Sequence, residues 1–403
     1  MTRILLGQLA ANGDCAYATI LARQLRHDHP DAHLTWAISS SCAGLLKNNP
    51  HVDEVWEIPA RGWNTQAAMW RMFEQEAFRR YQRREFDELL LSQVWPGNLQ
   101  NFDGTVRPCI LRSLGRPVTV PIEIVLCLTD DEIERVESFV KESDIGSFDH
   151  RILFECESRS GQSFITPELA QEIAKKLYES LPNATVIFST IQPMDLQDTR
   201  SRYAGQLSLR EIAQLTQACT AFVGAGSGGT VIATSSAAKP LPTVLLLKSD
   251  TSVFGSFAHD LEYFGIDHPG IVETAEENVG RVASYIARVC REGPGPVLAE
   301  PGVGMPVKFE HYQTVLETNL LPRQGYLDAA RSLLVTAGRY GWTEELVRFG
   351  RQRIEPNLGL DPSVIFAPNR ALADRFRATL TKAAKHPVEA PVQVSAREQG
   401  LVG

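Results

Sequence analysis

At 403 residues the chain is too long for one ordinary core and suits two domains with an appendage. A formal charge of −8 argues against broad nucleic-acid binding, although a local basic face can survive within an acidic total. No apolar run approaches the ~20 residues of a membrane span, and the N-terminus lacks a signal-peptide layout. The seven cysteines are scattered, with neither C-x-x-C nor metal-ligand spacing. Cys15, Cys109, Cys156 and Cys219 fall in strand or helix patterns that suit buried thiols. A reduced, cytosolic protein without a disulfide frame is expected.

Arg3-Ile4-Leu5-Leu6 reads as a strand, and the small-residue turn Ala10-Ala11-Asn12-Gly13-Asp14 follows it. Tyr17, Ile20, Leu21 and Leu25 then recur at helical spacing. The turn thus lies at the carboxyl end of a strand, where open α/β sheets place ligands. Asp14 is read either as an N-cap or as a general base at the rim of a cleft. Residues 33–38 and 52–58 read as further strands around a short helix at 42–47, a spacing that suggests a parallel, doubly wound sheet. Residues 64–84 form a long helix with Trp63, Met69, Trp70, Met72 and Phe73, ending in Arg79, Arg80, Arg83 and Arg84. Those cations suit a helix C-terminus; the alternative is a surface for an anionic acceptor or for the inner membrane. Residues 86–91 form a strand. The turn-rich stretch 94–115 follows, with Trp95-Pro96-Gly97-Asn98, Arg107, Arg112 and Arg116. Loops at strand ends carry function disproportionately, so an acceptor is expected there. Thr129 and Glu132 form a capping box.

A polar boundary at 144–150 precedes a second set of strands at 151–156, 184–190, 220–223, 243–247 and 271–274. Thr166-Pro167-Glu168 and Ser208-x-x-Glu211 open helices between them. Helices are also expected at 230–238 and 276–291, then at 310–319, 326–340, 343–354 and 369–385. Two loops lie at strand carboxyl ends in the same sheet and can face one ligand. Gly224-x-Gly226-x-x-Gly229, with Ser227, Gly228 and Thr230, matches a phosphate-binding glycine turn. The dinucleotide fingerprint belongs in the first βα turn of its domain, and at least two strands precede this one, which weakens a nicotinamide reading. A structural turn for close packing remains the alternative. Ser158, Arg159, Ser160, Gly161, Gln162 and Ser163 form the second loop, able to hold a diphosphate by charge-assisted bonds or to stand as a solvated polar loop. Asp14 would face both across a cleft and take a proton from an acceptor hydroxyl. No cluster of Asp, Glu and His suggests a metal.

Ile4-Leu5-Leu6, Asn12-Gly13-Asp14, the run Tyr17-Ala18-Thr19-Ile20-Leu21 and His29-Pro30-Asp31-Ala32 resemble glycosyltransferase family 9, the ADP-heptose:lipopolysaccharide heptosyltransferases. The resemblance continues in Leu34-Thr35-Trp36, Asn49-Pro50-His51-Val52-Asp53-Glu54-Val55, Leu207-Ser208-Leu209-Arg210-Glu211, Ala221-Phe222-Val223-Gly224, Ser227-Gly228 and Lys239-Pro240. It spans about residues 2–291. It implies an α/β GT-B fold: a Rossmann-like acceptor domain at 1–145 and a Rossmann-like nucleotide-sugar domain at 150–295. It also implies an inverting, metal-independent transfer without a cofactor, with Asp14 as the catalytic residue. On this reading Asn12, Gly13, Trp95, Asn98 and Arg107 stand on the acceptor side. The partners are a nucleotide sugar and a glycan, glycolipid or other hydroxyl acceptor. The family's donor loop, Asp-Ser-Gly-x-x-His, is here Gly226-Ser227-Gly228-Gly229-Thr230-Val231, and Arg159 stands where the family has a Lys. A helical extension at 305–385 exceeds the family's usual end and could pack on the cleft, bind a partner or mediate self-association. Residues 386–403 read as a loose tail. A catalytically silent binding or assembly protein and a nicotinamide oxidoreductase are the alternatives to a transferase.

Overall fold

The computed structural model describes residues 1–59, 66–250 and 252–388. Trp63 and Asn64 at the expected start of the long helix, and most of the expected tail, lie outside the described residues. Strands β1 (Arg3–Gly7), β2 (His33–Ser39), β3 (Glu54–Ile58) and β4 (Glu88–Leu91) form a parallel sheet in the order β3-β2-β1-β4. Strands β5 (His150–Glu155), β6 (Ala184–Ser189), β7 (Ser201–Tyr203), β8 (Ala221–Gly224), β9 (Thr243–Leu246) and β10 (Ile271–Thr274) form a second, in the order β10-β9-β8-β5-β6-β7. In each sheet the chain reverses direction about its first strand. The switch points fall between β1 and β4 and between β5 and β8, where strand ends leave a crevice. The molecule has the expected α/β arrangement of two parallel, doubly wound sheets with a helical C-terminal region.

The alternation of apolar side chains explains both layers. Ile4 and Leu6 of β1 pack toward the Asn12–Asp28 helix, while Leu5 faces Trp70, Phe73 and Ala77 of the Gln66–Gln82 helix. In the second sheet Ile152, Phe154, Val186 and Val223 meet the helices Pro167–Ser180 and Val279–Glu292. Leu153, Ile187, Phe222 and Leu245 face the opposite way, into the core that also contains the first helix. Both faces are buried, as parallel sheets require. All seven cysteines are free thiols.

The capping signals appear where the sequence places them. Thr129 with Glu132 and Ser208 with Glu211 form complete capping boxes, and Thr166 accepts the Leu169 N–H. Three expectations change. The stretch 94–115 is not an open loop; it contains the Arg107–Arg112 helix and buries Asn98, Asp103, Thr105 and Arg107. The glycine-turn helix is only Gly228–Ile232, shorter than the expected 230–238. The strand β7 and the helices Ser252–Gly255 and Phe257–Tyr263 carry no clear periodic signal and escape the sequence reading. At the basic end of the Gln66–Gln82 helix, Arg79 pairs with Glu76, and Arg80 pairs with Glu85 and stacks over Trp56. No helix among the described residues is long and apolar enough to cross a membrane.

The core continues from the first sheet through the extension. Met305, Phe309, Tyr312 and Leu333 are buried with Phe102, whose ring stacks on Tyr312 at 5.9 Å. Arg210 ties the connecting segment to both halves. It pairs with Glu132 at 2.8 Å and donates to the carbonyls of Leu45 (3.2 Å) and Cys127. That guanidinium pulls the Glu132 carboxyl down to about 2. Arg210→Ala leaves a buried carboxylate without its cation and the Leu45 and Cys127 carbonyls without this donor. It is expected to lower unfolding free energy by about 3–5 kcal/mol, read by urea denaturation; wild-type stability would contradict the role given to Arg210.

Candidate functional site

The turn after β1 is braced from the end of β4. The Gln93 side-chain oxygen accepts the N–H groups of Leu9 (2.9 Å) and Ala10 (3.0 Å) and the Gln8 side-chain amide (3.1 Å). Gln8 in turn accepts the Ser92 hydroxyl at 2.9 Å. These buried amides set the direction in which the Asn12–Asp28 helix leaves the sheet. The helix begins after Ala11 without a side-chain cap there, and Asp14 is its third residue. The N-cap reading of Asp14 is therefore corrected by three positions, since Ala11 is the N-cap. Its carboxylate reaches back to the Ala11 N–H, the acidic half of a capping box.

Asp14 keeps partial surface exposure, yet its carboxyl is enclosed. Burial pushes its pKa up to about 7, against the opposing pulls of Arg107 and the Ala11 N–H; Cys42 adds a smaller upward push. The Cys42 thiol is held down at about 6, chiefly by its hydrogen bond with Cys15. A carboxyl group poised near neutrality can accept and return a proton, which an ordinary surface carboxylate does poorly.

Across the seam, the glycine turn is filled by the protein's own carboxylate. Glu155, the last residue of β5, is buried and accepts four donors. These are the N–H groups of Ala225 (2.8 Å) and Thr230 (3.2 Å) and the hydroxyls of Thr230 (2.6 Å) and Ser227. A Cβ on Gly229 would stand 2.4 Å from Glu155 Oε1. The glycine there makes room for Glu155. The same device recurs at β10, where buried Glu273 accepts the Ser256 hydroxyl (2.6 Å) and the Phe257 N–H (2.7 Å). Gly226 has a φ of +67°, which favours glycine regardless of any ligand. The expected donor residues Ser227 and Thr230 thus spend their hydroxyls internally. The first-turn glycine Gly228 faces the other sheet: a Cβ on Gly13 would lie 3.3 Å from Gly228 Cα.

The 158–163 loop does lie beside this turn, as its sequence position implies. Gln162 donates to the Gly226 carbonyl at 2.7 Å, and Ser163 donates to the Leu246 carbonyl. Both are buried anchors. Arg159 and Ser160 are exposed, and Gly161 turns with a φ of +77°. Ser158 Oγ is buried without a hydrogen-bond partner among the described residues. An orphan hydroxyl beside an exposed guanidinium, at the end of β5, is the part of the expected donor site that remains open.

The acceptor-side residues divide. Asn12 and Gly13 stand at the helix start beside Asp14, with Asn12 exposed. Trp95 is exposed and donates its indole N–H to Asn319 of the extension. Asn98 is buried and donates to the Cys109 carbonyl at 3.0 Å. Arg107 is buried against Asp260 and donates to the Ser256 carbonyl at 2.9 Å. Asn98 and Arg107 therefore belong to the packing between parts of the molecule. Nearby, Asp103 lies 2.7 Å from Arg112 Nη2 and 3.0 Å from Arg339 Nη1. Burial works to raise the Asp103 pKa, and the two arginines outweigh it and hold it below the ordinary carboxylate value. Sequence reasoning missed Gln93, Glu155, Asp260 and Glu273. A buried acid at a strand end carries no motif, and only the fold shows what it caps.

Two surface grooves lie elsewhere. One, of about 340 Å³, is bordered by Gln100, Arg331 and Arg375; the other, of about 480 Å³, by Val136, Lys141 and Gln214. Neither is lined by Asp14 or the glycine turn.

No family model and no curated protein matches the chain. Solved structures do resemble it. A glycosyl transferase family 9 protein from Veillonella parvula DSM 2008 is 16% identical with a TM-score of 0.47, over 80% of this chain and 98% of that one. E. coli heptosyltransferase WaaC with ADP is 12% identical with a TM-score of 0.45, over 72% of this chain and 100% of the other. E. coli ADP-heptose lps heptosyltransferase II is 15% identical with a TM-score of 0.39, over 63% and 87%. At these values the likeness assigns neither activity nor substrate to this chain.

The filled turn predicts opposite outcomes for two adjacent glycines. Gly229→Ala drives a methyl into Glu155 and is expected to cost about 1–3 kcal/mol. Gly228→Ala meets its nearest atom, Gly13 N, at 3.6 Å and should be tolerated. Equal thermal unfolding midpoints for the two variants would contradict the packing described.

Proposed function

We propose that the chain is an inverting glycosyltransferase that moves a sugar from a nucleoside diphosphate to an acceptor hydroxyl. Asp14 takes the hydroxyl proton while the acceptor oxygen attacks the anomeric carbon. The bond from that carbon to the diphosphate oxygen breaks on the opposite face, and the diphosphate leaves with the electron pair. The single observation carrying this reading is Asp14 itself: a carboxyl poised near neutrality just after β1, next to Gly13, whose Cβ position lies 3.3 Å from Gly228 Cα in the turn after β8. Arg159 and the orphan Ser158 hydroxyl are the residues best placed to stabilise the departing charge. Ser160 and Gly161 complete the donor side, while Gly228 and Gly229 are taken up by Gly13 and Glu155. Asn12, Gly13 and Trp95 complete the acceptor side. No metal or cofactor enters these steps.

The finer reading is heptosyl or hexosyl transfer in the synthesis of lipopolysaccharide or another surface glycan. It rests on the resemblance of residues 2–291. It would place the protein in the cytoplasm, in peripheral contact with the inner membrane, where a glycolipid acceptor resides. Self-association through the extension is part of the same reading, although that extension already packs on both halves of its own chain.

A catalytically silent binding protein is the second reading. It is favoured by Glu155, which neutralises the glycine turn, and by the close contact of Gly13 with Gly228. The nicotinamide reading loses its support, because the turn's Ala225 and Thr230 N–H groups serve Glu155.

Thermal unfolding across a panel of nucleoside diphosphates separates enzyme from scaffold. At a hundredfold excess over Kd one ligand should stabilise the protein by about 2.7 kcal/mol. Asp14→Asn should keep that shift and lose transfer from the matching nucleotide sugar by about 100-fold or more. Silence across the panel favours the scaffold, and wild-type turnover by the variant removes Asp14 as the base.

A further inference from the structure

The Arg107–Asp260 pair is a costly feature that the transfer steps leave unused. Arg107 comes from the Arg107–Arg112 helix and Asp260 from the Phe257–Tyr263 helix, so the pair joins the two halves of the molecule. Their side chains are only 7% and 3% exposed. Arg107 Nε donates to Asp260 Oδ2, Nη2 donates to the Ser256 carbonyl, and the guanidinium lies 3.7 Å from the Phe257 ring centroid. The fork–fork pairing that an Arg and a carboxylate can form is not made, since Asp260 Oδ1 is buried without a partner. A well-packed apolar pair would usually be as stable as this half-satisfied one.

The guanidinium has a second neighbour. The Arg107–Arg112 helix packs on the Asn12–Asp28 helix as well as on the Phe257–Tyr263 helix. Arg107 acts electrostatically on Asp14, and both Arg107 and Asp260 act on Tyr17, one helical turn further along. Arg107 thus pairs directly with Asp260 and sits on the helix that packs against the Asp14 helix. We propose that Asp260 is a positioning residue: by gripping Arg107 across the seam, it shares that guanidinium with Asp14 and so sets the proton affinity of Asp14. This rests on the reading of Asp14 as the proton acceptor. It gives the contact between the halves a chemical consequence. When Asp260 holds Arg107, Asp14 retains its proton to higher pH; when the grip is lost, the cation falls to Asp14 alone and stabilises its charged form.

The groups facing the two carboxylates are few. Asp14 faces Arg107 and the Cys109 thiol on the Arg107–Arg112 helix, the Cys42 thiol, Cys15 on its own helix, and the Ala11 N–H. Asp260 faces Arg107, Arg339, Asp103 and Tyr17. Cys42 and Asp260 titrate in the same region, Asp260 because burial pushes its carboxyl up to about 6; the first is removed by a Cys42→Ser background and the second by Asp260→Asn itself.

The test follows the Asp14 carboxyl directly in the full chain, by ¹³C NMR of protein labelled at aspartate side-chain carboxyls. The Asp14 resonance is identified by its loss in Asp14→Asn. Asp260→Asn should move the Asp14 midpoint down by about 0.5–1 pH unit, and Arg107→Gln should move it up. Asp260→Glu should restore the wild-type value. These opposite signs are not produced by loosened packing, which would move both variants the same way. Should either neutral variant fail to fold, Arg107→Lys decides. Its compact ammonium cannot serve both carboxylates, so the midpoint should rise, and an unchanged midpoint overturns the proposal. Unchanged midpoints, or shifts of the same sign, in Asp260→Asn and Arg107→Gln also overturn it. If the midpoints shift as stated while Asp14→Asn still transfers sugar, the coupling stands and the base assignment falls.

Discussion

Buried charge, paired across the places where the parts of the chain meet, is the constraint on which the rest of this structure depends. Asp103 takes Arg112 from its own half and Arg339 from the extension. Asp260 takes Arg107 from the other half. Removing one member leaves an uncompensated ion in a dry interior, which costs far more than an ordinary surface contact. The two sheets and the extension therefore share one register. The extension is part of that register, because Arg339 also donates to the His259 carbonyl and Ser332 donates to the Phe102 carbonyl at 2.6 Å.

The same charges respond to pH with opposite signs. The Asp103 pKa is held low in the folded chain, so its contribution is present above the ordinary carboxylate range and lost as pH falls through the lowered value. The Asp14 pKa is raised to about 7 in the folded chain, so the native state holds a proton there that the unfolded chain has already released. Ionising Asp14 between the ordinary carboxylate range and pH 7 costs stability. A residue retained at such a cost, at a switch point, is more naturally explained by chemistry than by folding.

Much of the scaffold is legible in the sequence, because it rests on local signals. The Thr129, Thr166 and Ser208 caps, the short apolar strands and the Glu310–Asn319 and Tyr326–Tyr340 helices follow from local signals. The site is legible only in part. Asp14 stands out because a small-residue turn links a strand to a helix. The glycine turn stands out for the wrong reason: its pattern fits any anion, and the anion here is Glu155, 70 residues earlier at the end of β5. A linear motif cannot show which carboxylate it encloses. Likewise Arg107 and Asn98 look like loop residues because Gly and Pro surround them, and their burial depends on helices from far along the chain. Long-range pairing of charges is what the sequence withholds.

The central claim is that a carboxyl poised near neutrality at Asp14 accepts the acceptor's proton. The most direct measurement is the pH dependence of the transfer rate at saturating donor and acceptor, with the nucleotide sugar whose diphosphate stabilises the protein. A rate that rises with pH and levels off above about 7 is the result expected from a base that must first lose its proton. A rate independent of pH between about 5 and 8 would contradict it.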